Sequence, residues 1–409
     1  MTPIELIPLL LIVAGAQDPV PSPAALLQEV RSHLVADEFE SALTTLTRVA
    51  EMGLVFDFQE LPNAEHLSEL EAYEGLLLRL RQNAQPIVRS EVAFRLQRND
   101  LLIEGIAFQP TTGAFLLSSV HQGLIIRRAA DGSLSDIVSP PQDPEERAIE
   151  GPWGFQGLLV VPGTNELLAA TSALEQVAGL TPAEHGASAL MLYDLDGGEI
   201  INQFLVTDPG AGRSLALGDV ACHPAKRIFY ASCSDGRVVE IDDSAGGGVL
   251  RPLVAGYRFR SPQGLAPTPS GKYLYIADWS RGLFRVDLSL ESAQRRVEAV
   301  RSASTDSLFG IDGLVADGNT LIAIQNAYRP HRIVRLHLDS TGLEVERVEV
   351  LEANHPEHAE PTLGTIVGRN FYYVANSQWE SFGADASPEI QREVPVILRL
   401  PLGDLPAPR

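Results

Sequence analysis

The chain has 409 residues, which is enough for one large domain and a smaller one. Its 31 basic and 53 acidic side chains give a formal net charge of −22 at pH 7. A charge of this sign and size disfavours nucleic acid and anionic membrane surfaces as partners. Helix-forming residues gather before position 85 and strand-forming residues follow it, so we expect a small helical region ahead of a mainly β domain.

An apolar run opens the chain. Leu6 to Val13 is followed by Ala14-Gly15-Ala16, a small-x-small pattern typical of signal-peptidase sites. The run is too short to span a bilayer, and no later segment is typical of a transmembrane helix. We therefore predict a signal peptide over residues 1–16 and a secreted or periplasmic protein. The usual basic residues are missing ahead of the run, so a frayed or mis-started N-terminus is the alternative.

Residues 17–85 predict a helical segment that begins with a Pro-rich linker. Apolar residues recur at helical spacing in three stretches: Ala25 to Leu34, Phe39 to Met52 and Glu65 to Gln82. The stretch EFESALTTLTRVAEMGL resembles one tetratricopeptide repeat, and repeats of that kind usually bind peptides. A single unit cannot bury its apolar face alone. We expect the segment either to pack on the following domain or to bind a protein partner.

Residues 86–409 contain six copies of one strand–turn–strand pattern. In the first copy, IEGIAFQPTTGAFLLSSVHQGLIIR from Ile103, turn signals separate apolar and β-branched stretches. A small or acidic residue recurs near the start of each copy, at Gly105, Gly157, Asp219, Gly264, Gly313 and Gly364. The spacing is close to the roughly 40–50 residues of a four-stranded propeller blade. The sequence therefore predicts a mainly β chain, a six-bladed β-propeller preceded by a small α-helical segment.

The recurring glycine has a physical explanation in a propeller. The inner strands of all blades crowd around one axis, so a position without Cβ suits close approach of two backbones. A two-sheet sandwich would need no such regular period. Ser90 to Leu96 is expected to add a strand to the last blade, beside the closing strand Val394 to Leu400. Cys222 is expected to face a residue near Phe229, which favours buried thiols over a disulfide with Cys233.

The residue before each recurring position is expected to face one mouth of the central channel. These residues are Glu104, Gln156, Gly218, Gln263, Asp312 and Leu363. Two carboxylates and two amide oxygens from different blades are ligands that suit Ca²⁺ or Mg²⁺. Without a cation, Glu104 and Asp312 would repel each other across the channel unless one were protonated or paired. Gln156 has an alternative role as a hydrogen-bonding residue of the channel wall.

Three further residues are candidates for the substrate or channel. Asp219 offers a carboxylate beside Gly218, and His331 and Asn326 follow the second strand of the fifth blade. Asn326 also tolerates turn geometry, so its role is equally explained by the backbone. The pair in His355-Pro-Glu-His358 is expected to lie on a solvated surface loop.

Three motifs carry a resemblance to a known family: IEGIAF, SPQGLAPTPSGKYLYIAD and GIDGLVADGNTLIAI. They resemble the senescence marker protein/gluconolactonase/luciferin-regenerating enzyme family, and more distantly the paraoxonases and strictosidine-synthase-like propellers. The resemblance covers about residues 90–400. It implies a divalent cation held by a Glu of the first blade, an Asn of the fourth and an Asp of the fifth.

These family positions fall on Glu104, Gln263 and Asp312. The resemblance implies all three as metal ligands and Asp312 also as the catalytic base in lactone hydrolysis. Two departures are visible. Gln263 replaces the family's Asn with a longer side chain, and the third-blade Asn falls on Gly218, where only the neighbouring Asp219 offers an oxygen.

Two functions follow. The first is a metal-dependent hydrolase that opens lactones or related small-molecule esters, with Ca²⁺ in the channel and Mg²⁺ or Zn²⁺ as alternatives. The second is a non-catalytic exported propeller that binds a ligand or a protein partner, with any cation structural. The helical N-terminus favours the second slightly, because repeats of that kind dock peptides.

Overall fold

The computed structural model describes residues 21–141, 143, 147, 151–182, 184–206, 215–383, 386 and 391–403. The expected signal peptide, residues 1–16, lies outside the described residues. Within the described ranges, no helix is long and apolar enough to cross a membrane.

The helical segment contains α1 (Pro23–Val35), α2 (Phe39–Glu51), a 3-10 helix (Ala64–Glu69) and α3 (Tyr73–Asn83). Ser22 caps α1, because its Oγ accepts a hydrogen bond from the Ala25 amide at 3.2 Å. The single helix expected from Glu65 to Gln82 is wrong. The extended backbone at Leu70 (ψ 139°) interrupts it, and Leu67 and Leu76 on either side both reach the core of the segment. The tetratricopeptide-like character of the segment stays a prediction.

In the part of the chain that the structure describes after α3, the named elements are strands and a short 3-10 turn at Trp379–Ser381. The strands are β1 (Glu91–Arg95), β2 (Ile103–Gln109), β3 (Ala114–Ser119), β4 (Leu124–Arg128), β5 (Leu134–Val138), β6 (Gly154–Val160), β7 (Glu166–Ser172), β8 (Ser188–Asp194), β9 (Ile200–Leu205), β10 (Leu217–Cys222), β11 (Ile228–Cys233), β12 (Val238–Asp242), β13 (Val249–Pro252), β14 (Pro262–Pro267), β15 (Tyr273–Asp278), β16 (Gly282–Asp287), β17 (Val297–Ala299), β18 (Arg301–Ser302), β19 (Ile311–Asp317), β20 (Thr320–Gln325), β21 (Arg332–Leu338), β22 (Glu344–Ala353), β23 (Gly364–Val367), β24 (Asn370–Val374) and β25 (Val396–Pro401).

These strands form six sheets, which are the six blades of a propeller. The inner strands are β2, β6, β10, β14, β19 and β23, and each contacts the inner strand of the next blade. β23 also contacts β2, so the ring is closed. The prediction of a six-bladed propeller is confirmed.

The first and last strands of the propeller belong to the same blade. The sixth sheet has the order β1-β25-β24-β23, and β1 pairs antiparallel with β25. The expected closing strand is confirmed, and the ring is held by backbone hydrogen bonds between distant parts of the chain. Cys222 pairs with Phe229 across β10 and β11, and both cysteines are buried free thiols, as expected.

A bulge recurs at the same point in the inner strand of the first five blades. The register between the inner and second strands shifts between Ile103 and Ile106 in the first blade, and equivalently in the next four. The bulged pair is always the residue expected to face the mouth and the recurring small or acidic residue after it. A bulge redirects side chains, so this irregularity determines which side chains the channel receives.

The recurring glycines allow two blades to touch at the bulge. A Cβ at Gly105 would lie 2.3 Å from the carbonyl oxygen of Gln156 in the next blade. A Cβ at Gly264 would lie 2.5 Å from the carbonyl oxygen of Asp312. The expected close approach of backbones is therefore present, and any side chain at these positions would push neighbouring blades apart.

The helical segment packs against the fifth blade. The Val55 amide donates to the Arg329 carbonyl at 2.6 Å, and directly after the segment Ile87 and Ala353 exchange two backbone hydrogen bonds. The buried Arg332 guanidinium reaches the carbonyl of Met52 at 3.5 Å. These contacts lie where β20 and β22 end, which is the side of the ring where the inner strands begin. The segment therefore borders the face that carries the candidate site.

We predict that Gly264→Ala lowers the free energy of unfolding by about 1–3 kcal/mol, because the new methyl group would overlap the backbone of the fifth blade. The matched control is Gly75→Ala in α3, where no atom lies within 4 Å of the added Cβ. That change should raise stability by about 0.5–1 kcal/mol. Denaturant unfolding of both variants measures the difference, and equal effects would contradict the close approach.

Candidate functional site

Glu104 and Asp312 come from the first and fifth blades and meet at one mouth of the channel. Glu104 lies on β2 and is buried, whereas Asp312 on β19 is partly exposed. Burial, and next the negative charge of Asp312, raise the pKa of Glu104 well above its usual range. The structure thus brings together two carboxylates that are 208 residues apart in sequence, between positions 104 and 312.

Glu104 is held by two neighbours from the far end of the chain. Its Oε2 accepts a hydrogen bond from Trp379 Nε1 at 2.9 Å. Its backbone carbonyl accepts from Thr362 Oγ1 at 2.9 Å. The side-chain bond favours the ionised carboxylate, but burial and Asp312 outweigh it.

Asp312 is oriented by Asn326. Asn326 Nδ2 donates to Asp312 Oδ2 at 2.6 Å and to the Pro361 carbonyl at 3.0 Å. Asn326 Oδ1 accepts from Trp279 Nε1 at 3.2 Å, so its amide is fixed in one orientation. Burial raises the pKa of Asp312 to about 6, although the bond from Asn326 lowers it. The structure therefore places Asn326, one of the expected channel residues, directly beside the expected catalytic residue.

The two glutamines supply amide oxygens. Gln156 is buried, and its Oε1 has no hydrogen-bond partner among the described residues. Gln263 is partly exposed, and its Nε2 lies 3.4 Å from Ser261 Oγ. Gln263 Oε1 lies 3.4 Å from the point where a Cβ on Gly218 would sit. A Cβ at Gly218 would also lie 2.9 Å from Ser232 Oγ, so packing within the third blade itself favours glycine at this position.

Asp219 has a structural explanation. Its Oδ1 accepts from the Val220 amide at 2.8 Å, and its Oδ2 accepts from the Leu265 amide at 2.9 Å. Leu265 lies on the inner strand of the fourth blade, so this carboxylate joins the third and fourth blades. Burial raises the pKa of Asp219 to about 7, and the charge of Asp312 contributes. Each oxygen accepts one backbone hydrogen bond, so Asp219 bridges two blades, and its role toward a substrate stays a prediction.

His331 lies in a separate cluster. It is buried beside His358, and its Nδ1 has no hydrogen-bond partner within the described part of the chain. His358 Nε2 bonds to the Tyr373 hydroxyl at 2.9 Å, and that hydroxyl donates to the buried Glu352. The expectation of a solvated loop for His355 and His358 is wrong, because each is only 9% exposed. The hydrogen bond between His358 and Tyr373 offsets part of the free-energy cost of burying these polar side chains.

The burial of His331 and His358 changes their protonation. Burial lowers the pKa of His331 to about 4 and that of His358 to about 4. Both are therefore neutral at physiological pH. His331 lies beside His358, in the network of buried polar groups around Tyr373, and its role as a substrate or channel residue stays a prediction.

Glu360 is a mouth residue that the sequence pattern does not predict. Its charge raises the pKa values of Glu104 and Asp312, and its own pKa is raised by burial. It lies in the connection from β22 to β23 with φ 66°, a conformation that is uncommon for a residue with a side chain. Its Oε2 accepts from the Trp379 amide at 3.0 Å. Because Glu360 is outside the bulge positions, the repeat gives no signal for it.

The sixth blade departs from the pattern of the other five. Its inner strand β23 begins at Gly364 and pairs with β24 without a shift in register. Leu363 is buried, so this blade offers no polar side chain at the aligned position. Glu360 and Trp379 from its connections occupy that part of the mouth instead.

The mouth carries negative charge without a basic partner. Among the residues that the structure describes, no Lys, Arg or His forms a salt bridge with Glu104, Asp219, Asp312 or Glu360. Within the same residues, no group of three or more His, Cys, Asp or Glu is arranged to hold a metal ion. A cation here would therefore need amide oxygens as well as carboxylates.

No protein-family model matches the chain, and no curated protein matches its sequence. Solved structures do match. Luciferin-regenerating enzyme is 11% identical with a TM-score of 0.50, and the match covers 78% of this chain and 95% of that one. Regucalcin from Agrobacterium tumefaciens, described as a calcium-binding protein, is 15% identical with a TM-score of 0.50 and covers 76% and 93%.

A gluconolactonase from Xanthomonas campestris is 14% identical with a TM-score of 0.47, over 77% of this chain and 94% of that one. Identities this low show the fold alone. The structural neighbours of the chain are thus six-bladed propellers of the senescence marker protein/gluconolactonase/luciferin-regenerating enzyme type.

Proposed function

We propose that the chain binds a divalent cation at the mouth of the propeller and hydrolyses lactones or related esters there. The observation that carries this proposal is the pair Glu104 and Asp312, two neighbouring carboxylates without a basic partner among the described residues. Bringing like charges together costs free energy unless a proton or a cation compensates. A divalent cation would offset this repulsion and would also supply Lewis-acid chemistry for hydrolysis.

The donor atoms present fit a hard cation. Glu104 and Asp312 supply carboxylate oxygens, and Gln263 supplies an amide oxygen. The unpartnered Oε1 of buried Gln156 is a further acceptor, and leaving such an atom unsatisfied is costly. Ca²⁺ takes six to eight oxygen ligands in flexible geometry. The set therefore favours Ca²⁺, with Mg²⁺ as the alternative, over Zn²⁺, which prefers nitrogen and sulfur.

When bound, the cation would supply Lewis-acid chemistry, polarising a carbonyl oxygen and making a water molecule more acidic. The residues of the chain supply the rest. Asp312 would accept a proton from that water molecule or position it for attack. Asn326 occupies Asp312 Oδ2, so Oδ1 remains available at the mouth. Glu104 and Gln263 are the further ligands in this proposal.

The second candidate is a non-catalytic propeller, in which the same face binds a ligand or a protein partner and the cation is structural. The helical segment supports this candidate, because it packs at the rim of the propeller. There Val55 donates to Arg329, and the Met52 carbonyl accepts from Arg332. The same contacts also explain the segment as part of the fold. Export of the mature chain after removal of residues 1–16 remains part of either proposal.

The cation should reverse a pH-dependent loss of stability. The pKa of Asp312 is raised to about 6, so without a cation the folded chain binds more protons than the unfolded chain. The stability that Asp312 contributes is complete below about pH 4 and is lost as the pH rises through about 6. We expect added Ca²⁺ to raise the Tm at about pH 8 and to have little effect at about pH 4.

Variants sharpen this measurement. Asp312→Asn removes one of the repelling charges, so the chelator-treated variant should be more stable than the wild type at about pH 8 and insensitive to Ca²⁺. The control Asp196→Asn, at an exposed position, should keep the full response to Ca²⁺. A wild-type Tm that Ca²⁺ and Mg²⁺ leave unchanged would rule out the cation site.

Hydrolysis is tested with a panel of lactones and simple esters in the presence of Ca²⁺. We expect Asp312→Ala to lower kcat/KM at least about 100-fold on any substrate the wild type turns over, because proton transfer is lost. Asp196→Ala should match the wild type. Activity that is the same in Asp312→Ala and the wild type would leave only the non-catalytic candidate.

A further inference from the structure

Trp379 is tied to two carboxylates of the mouth at once. Its indole Nε1 donates to Glu104 Oε2 at 2.9 Å, and its backbone amide donates to Glu360 Oε2 at 3.0 Å. Ser377 Oγ donates to the Glu360 carbonyl at 2.9 Å, which closes the turn around these groups. The position of the indole is thus fixed at both ends, by its own backbone and by Glu104.

A second tryptophan makes an analogous link on the other side of the site. Trp279 Nε1 donates to Asn326 Oδ1, and Asn326 Nδ2 donates to Asp312 Oδ2. Each of the two carboxylates proposed as ligands therefore has one oxygen occupied by a neutral N–H donor. In both cases the hydrogen bonds start at an indole N–H, which bonds directly to Glu104 and acts through Asn326 on Asp312.

These donors come from one repeated place in the fold. Trp279 and Asn326 directly follow β15 and β20, and Trp379 lies further along the connection after β24; these are the second strands of the fourth, fifth and sixth blades. The bulges of the inner strands supply the carboxylates, and the connections after the second strands supply the groups that hold them.

We infer that Trp379, and Trp279 through Asn326, are positioning residues of the cation site that each hold one carboxylate oxygen and leave the other free. This inference rests on the proposed function. An indole N–H is a donor without charge, so it can orient a carboxylate without neutralising it. A Lys or Arg in the same place would compete with the cation for the same oxygens. Groups that orient metal ligands typically change metal affinity 10- to 100-fold.

The experiment compares three tryptophan-to-phenylalanine variants of the full chain, which contains three tryptophans. Calcium affinity is measured by calorimetric titration. Trp379→Phe should weaken Ca²⁺ binding roughly tenfold, because Glu104 loses its donor while the backbone bond to Glu360 remains. Trp279→Phe should have a smaller effect, since it acts through Asn326. Trp153→Phe is the control, because Trp153 is buried in a core cluster between the first two blades.

The luminescence lifetime of bound Tb³⁺ gives a readout that a purely structural role would not change, because it reports how many water molecules remain on the ion. Tb³⁺ replaces Ca²⁺ at oxygen sites and is excited through a tryptophan only at short range. The double variant Trp153→Phe/Trp279→Phe leaves Trp379 alone and should retain most of the sensitised emission. Trp379→Phe keeps Trp279, which also lies beside the site, so bound Tb³⁺ is still excited at saturation, and its lifetime should shorten because water replaces the Glu104 oxygen.

The outcomes separate the two proposals. A wild type that binds neither Ca²⁺ nor Tb³⁺ overturns the cation site and this inference with it. A wild type that binds Ca²⁺, with equal affinity in Trp379→Phe and Trp153→Phe, overturns the inference and leaves the proposed function standing. A Tb³⁺ lifetime that is the same in the wild type and in Trp379→Phe likewise overturns the role of Trp379.

Discussion

The structure depends on how closely the inner strands of neighbouring blades approach at the bulge. At Gly105 and Gly264 the backbone of one blade occupies the space that a side chain would need. The same bulge turns the preceding residue toward the channel. Close packing between blades and the supply of polar groups to the mouth are therefore one constraint, because the small residue and the functional residue before it are adjacent in sequence.

The third blade shows how this constraint can be satisfied differently. Asp219 replaces the recurring glycine, and its carboxylate accepts hydrogen bonds from its own blade and from Leu265 of the next. A side chain here replaces direct backbone contact with a hydrogen-bonded bridge. Gly218 before it brings no side-chain ligand from this blade to the mouth. A Cβ there would lie 2.9 Å from Ser232 Oγ, so packing within the third blade favours glycine at this position.

The repeat in the sequence predicts the ring of blades and the aligned positions in it. The residues that the connections between strands bring to the site have no such repeat. The period and the local alternation were enough to identify the ring, the strand that closes it and the pairing of Cys222 with Phe229. Glu360 and Trp379 lie in connections whose geometry requires positive φ at Glu360 and Gln378. No local pattern encodes such contacts, because they arise only when distant segments meet, and the buried His358 network was missed for the same reason.

The connection after β20 links the helical segment to the mouth. Arg329 in this connection accepts a backbone hydrogen bond from Val55, and Tyr328 packs against the apolar cluster of the helices. Asn326, three residues earlier, holds Asp312. Because one short stretch makes both sets of contacts, docking of the helices limits the freedom of the group that orients the carboxylate. The helical segment and Asp312 therefore both contact the connection after β20, which places the helices at the same edge of the propeller as the candidate site.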